Sequence, residues 1–240
     1  MTVESRQPVR PDAGSATQGV FVVIPAYNES FCLEEVLLQV RSRYPNVVVV
    51  DDGSMDDTFA IARRLVPHAL RHPLNRGQGA ALQTGIEFAL RQGARTIVTF
   101  DADGQHCVED IAVVLEPVLR GDCDVVLGSR FLGAAAAIPR SRRWLLRAAA
   151  LATRIVSRVR LTDVHNGLRA FSRQAAEGIH ITMDRMAHAS ELIDILHRSG
   201  MAFREVPVRV RYTDYSLRKG QSSHGALRIV LDYVTGRMLR

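Results

Sequence analysis

Short apolar runs alternate with helical patterns along the chain from Val20 onward. The runs are rich in valine and isoleucine and are bounded by turn residues, which predicts strands buried on both faces. The segments between them repeat apolar residues at helical spacing. The predicted strands are Val20–Ile24, Val47–Val50, Thr96–Phe100 and Val125–Leu127, and the predicted helices are Glu34–Arg43, Asp57–Leu65, Ala80–Leu90 and Ile111–Leu119. This order predicts an α/β fold with a mostly parallel sheet flanked by helices.

The two ends of the chain lack this pattern. Residues 1–19 mix proline, glycine, serine and threonine without an apolar period, which predicts a disordered leader. Residues 20–212 are expected to form one domain that is long enough to bury a sizeable core. Residues 213–240 are expected to form a basic loop and a C-terminal amphipathic helix.

The composition is that of an ordinary globular protein. With 47% hydrophobic and 23% charged residues, the chain is neither wholly disordered, collagen-like nor a coiled coil. No stretch approaches the roughly 18 apolar residues of a membrane-spanning helix, and the first residues lack the order of a signal peptide. Three cysteines without CxxC spacing predict neither a zinc site nor a disulfide framework and favour a reducing, cytoplasmic setting.

Polar residues follow each predicted strand at the point where it ends. In open α/β sheets ligands bind beyond the carboxyl ends of the strands, so these residues are the candidates for chemistry. Three acidic clusters and one arginine are thereby expected at one edge of the sheet. The four segments are Pro25–Glu29, Asp51–Ser54, Asp101–Gln105 and Gly128–Arg130.

Asp101 and Asp103 flank a single residue directly after the third predicted strand. By strand alternation their carboxylates point the same way and can share a hard cation. Oxygen ligands with room for phosphate oxygens suit Mg²⁺ or Mn²⁺ better than zinc. A strand-end turn capped by aspartates explains the short motif equally well, so the pattern alone leaves both interpretations open.

Two further segments near this edge carry weaker signals. Asp51 and Asp52 are adjacent carboxylates at the end of a buried strand, where they repel each other unless something binds them. Base or ribose hydroxyls, or a cation, would answer that repulsion. Asn75–Gly79 is a glycine-bearing loop at a helix start, which can present backbone N–H groups to a diphosphate. An ordinary turn without a ligand explains the same residues.

Five of these segments together resemble, in order, the motifs of family-2 inverting glycosyltransferases. The resemblance is strongest to the branch of dolichol- and undecaprenyl-phosphate sugar synthases, and it covers roughly Val20–Arg211. It implies a GT-A (Rossmann-like) fold that binds a nucleotide diphosphate sugar. The segments that carry it are Ile24–Glu29, Val50–Thr58, Asn75–Gly79, Asp101–His106 and Gly128–Phe131.

The resemblance also implies roles for individual residues. Asp103 and Arg130 are expected to be catalytic, and Asp163–Arg169 resembles an Asp-x-x-x-Gly-Phe-Arg segment of that branch, with Leu168 in the place of the aromatic residue. The residues expected to bind the nucleotide sugar are Pro25, Tyr27, Glu29, Asp52, Gly79, Asp101 and Gln105. The expected metal ligands are Asp101, Asp103 and Gln105, and the expected contacts to the acceptor phosphate are Arg130, Arg143 and Arg169.

The implied reaction is metal-dependent transfer of a sugar from a UDP- or GDP-linked donor to a polyprenyl phosphate, within cell-envelope glycan biosynthesis. A phosphate acceptor is already anionic and needs no general base, so preorganised cations are the useful catalysts. The alternative is a sugar hydroxyl in a polysaccharide or lipopolysaccharide as acceptor. Glu191, in a helical context, is then the candidate base.

Arginine is concentrated in one part of the chain, which carries a formal charge of +6 overall. Ten arginines face one aspartate between Arg130 and Arg173. Arg143 and Arg158 share a helical face opposite Trp144, which predicts a basic amphipathic helix on an anionic bilayer, although a core-facing helix with solvated arginines fits too. We therefore expect a cytoplasmic protein peripheral on the inner face of the membrane, or attached to a separate membrane subunit, and the resemblance leaves room for a homo-oligomer.

Two other interpretations carry less weight. Phe100–Gly104 is similar to the nucleophile motif of haloacid-dehalogenase phosphatases, but its mid-chain position and the following Gln105 disagree with that class. Nucleic-acid binding is not expected, because only 6% of the residues are aromatic and no base-stacking motif is present.

A loop around Lys219 either closes over the donor diphosphate or is simply a mobile basic loop.

Overall fold

The computed structural model describes residues 17–132, 161–183 and 187–211. Among these residues no helix combines the length and the apolar character that crossing a membrane requires. The strands are β1 (Val20–Ala26), β2 (Asn46–Asp51), β3 (His68–Arg71), β4 (Thr96–Thr99), β5 (Val125–Ser129), β6 (Arg169–Ser172) and β7 (Phe203–Pro207). The helices are α1 (Ser30–Arg41), α2 (Thr58–Leu65), α3 (Gln78–Arg91), α4 (Asp110–Leu119), α5 (Arg173–Gly178) and α6 (His188–Ser199).

The strands form one seven-stranded sheet in the order β3-β2-β1-β4-β6-β5-β7. Only β6 runs antiparallel to its neighbours β4 and β5; the other pairings are parallel. The mostly parallel sheet with flanking helices that the sequence predicts is therefore confirmed.

The core lies on both faces of the sheet, as the unbroken valine runs predict. Val22 and Ile24 of β1 pack on one face with Leu33 and Leu37 of α1. Phe21 and Val23, which alternate with them, pack on the other face with α3 and α6. A strand that is buried on both faces has no polar face, which is why β1 reads as a continuous apolar run.

The structure corrects several predicted boundaries. The hydrophobic pattern does not predict β3, an edge strand whose four residues are half-buried or exposed and form no apolar run. The first helix begins at Ser30, four residues before its predicted start. Strand β4 ends at Thr99, so Asp101 and Asp103 lie in the loop beyond it, and the alternation along a strand does not govern their directions.

The antiparallel direction of β6 decides what reaches the carboxyl edge of the sheet. Arg169 of β6 is paired with Thr99 of β4 and with Leu127 of β5. Because β6 runs in the opposite direction, its amino end lies where β4 and β5 have their carboxyl ends. The segment that precedes Arg169 is thereby brought between the loops that follow β4 and β5.

Residues 17–19, which precede the predicted domain start, are in contact with the sheet. Asn46 Nδ2 donates to the carbonyl of Gln18, and Gly19 O accepts hydrogen bonds from the backbone of Arg95 and Thr96 at 2.8 and 3.1 Å. Residues 17–19 therefore belong with the sheet rather than with the predicted leader. The helix around Arg143 and Trp144, the loop around Lys219 and the C-terminal helix lie outside the described residues.

Candidate active site

The loops after β1, β2 and β4 meet at the carboxyl edge of the sheet, as the sequence predicts. Hydrogen bonds join the segments after β1 and β2 directly: Asp52 N donates to Ala26 O at 2.8 Å, and Glu29 N donates to Thr58 Oγ1 at 2.8 Å. Asn28 adopts a left-handed conformation with φ of 52° and accepts from Met55 N at 2.9 Å. Residues 25–29 are thereby fixed against the loop that follows β2.

Asp51 and Asp52 are both buried, and the protein itself supplies their partners. Arg71 Nε lies 3.1 Å from Asp51 Oδ2, and Ser54 N donates to Asp51 Oδ1 at 3.2 Å. Asp52 forms a 2.7 Å contact with His72 Nδ1. These contacts offset part of the repulsion between the two carboxylates, while Asp51 Oδ2 is buried without a hydrogen bond. A ligand for this pair therefore stays a prediction.

The glycine-bearing loop begins α3, as predicted, but its donors face Asp52. Gly77 has a φ of 102°, which L side chains rarely adopt, and α3 starts at the next residue. The backbone N–H groups of Arg76 and Gly77 donate to the carboxylate of Asp52 at 3.0 and 2.6 Å. These two groups are therefore not directed at a diphosphate, and Asp52 organises the loop. Gly79 lies buried in the first turn of α3.

A pocket of about 480 Å³ opens beside Asp52 at the carboxyl ends of β2 and β3. Tyr27, on the neighbouring loop, keeps 40% of its surface exposed. A half-exposed aromatic ring is suited to stacking on a flat ligand. The residues around the pocket are Gly53, Ser54, Met55, Arg71, His72 and Pro73.

Asp101 is held from several sides. Gln78 Nε2 donates to Oδ1 at 3.0 Å, and His106 Nε2 lies 3.0 Å from Oδ2. Burial alone would raise the pKa of Asp101, but the hydrogen bond and charge of His106 and the charges of Arg169 and His188 lower it. Asp101 is therefore an ionised carboxylate in a fixed orientation.

Asp103 has the opposite electrostatic environment. Burial and the negative charge of Asp101 raise the pKa of Asp103 to about 6, with a smaller contribution from Glu29. The backbone N–H of Gln105 donates to Asp103 Oδ1 at 3.0 Å and opposes this rise. Carboxylates that disfavour each other's ionisation are stabilised by a bound cation, so the pair is suited to hold one.

The donor set at this point fits a hard divalent ion. Asp101, Asp103 and the amide of Gln105 offer oxygen ligands, and Mg²⁺ commonly takes only one or two carboxylates together with substrate phosphates. Within residues 17–132, 161–183 and 187–211, no three His, Cys, Asp or Glu side chains come together as a complete metal site. The predicted ligands therefore fit a cation that a diphosphate completes, rather than a closed protein cage.

Arg130 stands at the carboxyl end of β5 and is paired with Asp163. Its Nε donates to Asp163 Oδ2 at 2.6 Å, and its backbone N–H donates to the same oxygen at 3.1 Å. Asp163 is buried, and 10% of the Arg130 side chain is exposed. The sequence motifs include both Arg130 and Asp163, but their spacing of 33 residues does not predict that the two side chains pair.

Arg169 lies behind the site rather than at its surface. Its side chain is buried, and its Nη2 donates to the carbonyl of Val164 at 3.0 Å. Burial lowers the pKa of Arg169 to about 10, against the charges of Asp101 and Asp163, which raise it. Arg169 is thus a buried counter-charge to these carboxylates, and its expected contact with an acceptor phosphate stays a prediction. Arg143 lies outside the described residues.

Glu191, the candidate base for a hydroxyl acceptor, is buried in α6. Its Oε2 accepts from the backbone N–H groups of Thr182 and Met183 at 3.0 and 2.8 Å, and its Oε1 accepts from the Thr182 hydroxyl. The carboxylate fastens the segment that leads into α6. This use does not suit a general base, which has to reach a substrate proton.

A mostly parallel sheet with paired carboxylates and an arginine at its carboxyl edge defines an open-sheet α/β protein whose candidate site lies at that edge. The family model of "Glycosyl transferase family 2" matches residues 21–179. The chain belongs to this family and is a glycosyltransferase, as the sequence motifs predict.

Two relatives and one solved structure define the similarity further. The chain is 31% identical over 223 residues to a UDP-N-acetylglucosamine–dolichyl-phosphate N-acetylglucosaminyltransferase of Methanococcus voltae, covering 84% of this chain and 89% of that one. It is 32% identical over 222 residues to a polyprenol monophosphomannose synthase of Mycolicibacterium smegmatis, covering 87% and 83%. A glucosyl-3-phosphoglycerate synthase of Mycobacterium tuberculosis, crystallised with Mn²⁺, UDP and glucosyl-3-phosphoglycerate, shares the fold with a TM-score of 0.70, at 18% identity and covering 96% and 84%.

Proposed function

We propose that this glycosyltransferase moves a sugar from a UDP- or GDP-linked donor to a polyprenyl phosphate, with Mg²⁺ or Mn²⁺ as cofactor. The observation that carries the proposal is the arrangement of Asp101, Asp103 and Arg130 at one edge of the sheet, with the Asp163–Arg169 segment between them. Such an edge offers cation-binding oxygens and a guanidinium to two phosphorylated substrates. The relatives named for dolichyl phosphate and polyprenol support a lipid phosphate as acceptor.

The donor nucleotide is assigned to the loops after β1 and β2. Tyr27 is exposed for stacking, Pro25 is buried near the end of β1, and Glu29 belongs to the loop that the Asn28 and Thr58 contacts hold in place. Asp52 acts here indirectly. Its carboxylate orders the loop at Arg76 and Gly77, which lies beside the donor nucleotide. The neighbouring pocket has room for a base or a ribose.

The diphosphate is assigned to the Asp101–Gln105 loop. Asp103, with Asp101 and Gln105, would hold the metal ion, which supplies positive charge to the diphosphate as the anomeric C–O bond breaks. Ionised Asp101, kept in place by His106 and Gln78, orients that loop. No proton donor is required at this edge, because the leaving diphosphate is stabilised by charge.

The acceptor is assigned to the side of Arg130. Two anionic substrates repel each other, so a fixed guanidinium between them lowers the energy of their approach. Attachment to the inner face of the cytoplasmic membrane, through the arginine-rich segment around Arg143 or through a membrane subunit, would bring the lipid phosphate to this side. A homo-oligomer is compatible with the same arrangement.

The proposal is tested first by thermal unfolding with UDP, GDP, CDP and TDP, each with and without Mn²⁺. A ligand that binds only the folded state raises the midpoint, so one nucleotide should raise it in a metal-dependent manner. Asp103→Asn should remove the metal-dependent part and leave the unliganded midpoint nearly unchanged. Asp122→Asn, which removes a carboxylate from an exposed ion pair with Arg204, is the matched control and should respond like the parent protein.

Transfer is then measured with the nucleotide sugars that carry the selected base. A labelled sugar should move from the donor to a polyprenyl phosphate. Arg130→Ala should lose this turnover but keep nucleotide binding. Transfer to a sugar hydroxyl but not to the lipid phosphate would refute the acceptor assignment. Unchanged donor affinity in Asp103→Asn would refute the metal assignment.

A further inference from the structure

The segment Asp163–Arg169 joins the two sides of the site. Gly128 N, at the end of β5, donates to Leu168 O at 2.9 Å. On the other side, Thr99 Oγ1, at the end of β4, donates to Gly167 O at 2.7 Å. The backbone just before β6 is therefore fastened to both neighbouring strands at the level where their functional loops begin.

Within this segment Asp163 is directed at Arg130. A single carboxylate oxygen accepts both the backbone N–H and the Nε–H of Arg130, at 3.1 and 2.6 Å. The carbonyl of His165 lies 3.4 Å from Nη2 of the same arginine. The position of the backbone and the direction of the side chain are thus both determined by contacts to one short segment.

Asp163 is itself fixed. Its backbone N–H donates to Glu205 Oε1 at 3.1 Å, and its side chain is 1% exposed. Arg169 adds a buried positive charge that acts on Asp163 and on Asp101 alike. The carboxylate that orients Arg130 is therefore held in one position.

The physical consequence is preorganisation. An arginine has several rotatable bonds, and immobilising such a side chain on binding costs conformational entropy. A partner that fixes it before the substrate arrives removes that cost and sets the distance between reacting groups. An exposed ion pair would do little of this, whereas a buried pair with two hydrogen bonds to one oxygen does.

We propose that Asp163 is a positioning residue, which aims the guanidinium of Arg130 at the acceptor phosphate. This inference rests on the proposed function, because it assigns Asp163 to the acceptor side of the same site. It differs from a purely structural role for Asp163, in which replacing Asp163 would lower activity equally whether or not Arg130 is present.

The test is a double-mutant cycle with Asp163→Asn, Arg130→Gln and the double variant. The cycle measures kcat and the KM values for the donor sugar nucleotide and for the polyprenyl phosphate. Asp163→Asn should lower kcat/KM for the acceptor on the order of 10- to 100-fold, with the donor KM changed less than about twofold. In the Arg130→Gln background the same change should have little further effect, because its target is absent.

Asp122 and Arg204 provide the matched control. They form an exposed ion pair at 3.8 Å away from this edge, and Asp122→Asn, Arg204→Gln and their combination should leave both KM values as in the parent. Should Asp163→Asn fail to fold, Asp163→Glu keeps the charge but moves the carboxylate by one methylene. It should show the same loss on the acceptor side.

Affinity for farnesyl phosphate, measured by calorimetry, separates this inference from the proposed function because it requires no turnover. Binding to the parent protein that weakens in Asp163→Asn, but not further in the double variant, supports the inference. Absence of turnover with every donor would refute the proposed function and leave the binding series to decide on Asp163. The inference on Asp163 would be overturned by additive losses of kcat/KM in the double variant, by equal affinity of the parent and Asp163→Asn for farnesyl phosphate, or by no binding to the parent.

Discussion

A Cβ atom on Gly167 would lie 2.1 Å from Oδ2 and 2.3 Å from Oδ1 of Asp101. The backbone of Gly167 thus packs directly against a carboxylate that follows β4. It cannot withdraw easily, because its carbonyl accepts a hydrogen bond from Thr99 at 2.7 Å. The glycine of the Asp163–Arg169 segment is required by this contact with the acidic loop and not by an unusual backbone angle.

Gly167→Ala should therefore displace Asp101 and break its contacts with Gln78 and His106. We expect a loss of roughly 1–3 kcal/mol in the free energy of unfolding, which is typical of overpacking at a tight contact. The metal-dependent rise in thermal midpoint with nucleotide should disappear as well. Urea unfolding and the nucleotide screen measure these two effects.

Gly178→Ala is the control for this variant. Its Cβ would meet only the terminal methyl of Met201, at 2.7 Å, and a flexible side chain can move aside. The loss from Gly167→Ala should also shrink in an Asp101→Ala background, where no carboxylate is left to collide with. Equal losses in both backgrounds would mean that the contact with Asp101 is not the cause.

The sequence predicts the fold best where burial dictates the residues. Strands β1 and β2 are covered by helices on both faces, so their valine runs are visible without a structure. The edge strand β3 has no such requirement, and its four residues, His68–Arg71, carry no recognisable period. The reversal of β6 is equally hidden, since four residues do not reveal the direction in which a strand is paired.

The site divides in the same way. Acidic residues after the strands could be predicted to meet, because the ends of parallel strands share one edge. Their partners could not be predicted, since they come from distant parts of the chain. His72 follows its partner Asp52 by 20 residues, and Gln78 precedes Asp101 by 23. Spacing along the sequence carries no information about such pairs.

Asp52→Asn should destabilise the protein even without a ligand. Its buried carboxylate accepts from His72, Arg76 and Gly77, and an amide would place N–H groups where at least one of these donors points. Leaving a buried donor unsatisfied costs about 1–3 kcal/mol, so a loss of this size is expected in urea unfolding.

Asp57→Asn is the matched control for that change. Asp57 is exposed at the start of α2 and makes no side-chain capping hydrogen bond, so its replacement should alter the free energy of unfolding by less than about 0.5 kcal/mol. If the two variants were equally stable, Asp52 would not be the residue that organises the glycine-bearing loop. A role confined to substrate contact would then be the better explanation.

His165 gives the protein a defined response to pH. Its Nδ1 is buried without a hydrogen bond, and burial, with the charges of Arg169 and Arg130, lowers its pKa to about 4 although Asp163 opposes this. In the unfolded chain a histidine titrates near 6.5. Between these two values the unfolded chain binds more protons, so protonation favours unfolding and this contribution to stability falls as the pH falls from about 6.5 to about 4.

Replacing this histidine should remove that contribution, and the comparison must be made against the parent because Asp103 acts in the opposite sense. The pKa of Asp103 is raised to about 6 in the folded protein, so between about 4 and 6 its protonation favours the folded state. Urea unfolding of the parent and His165→Gln from pH 4 to pH 7.5 isolates the histidine, with the exposed His197→Gln as control. The stability of the parent relative to His165→Gln should decline as the pH is lowered; a constant difference would show that the imidazole is not held neutral by the fold.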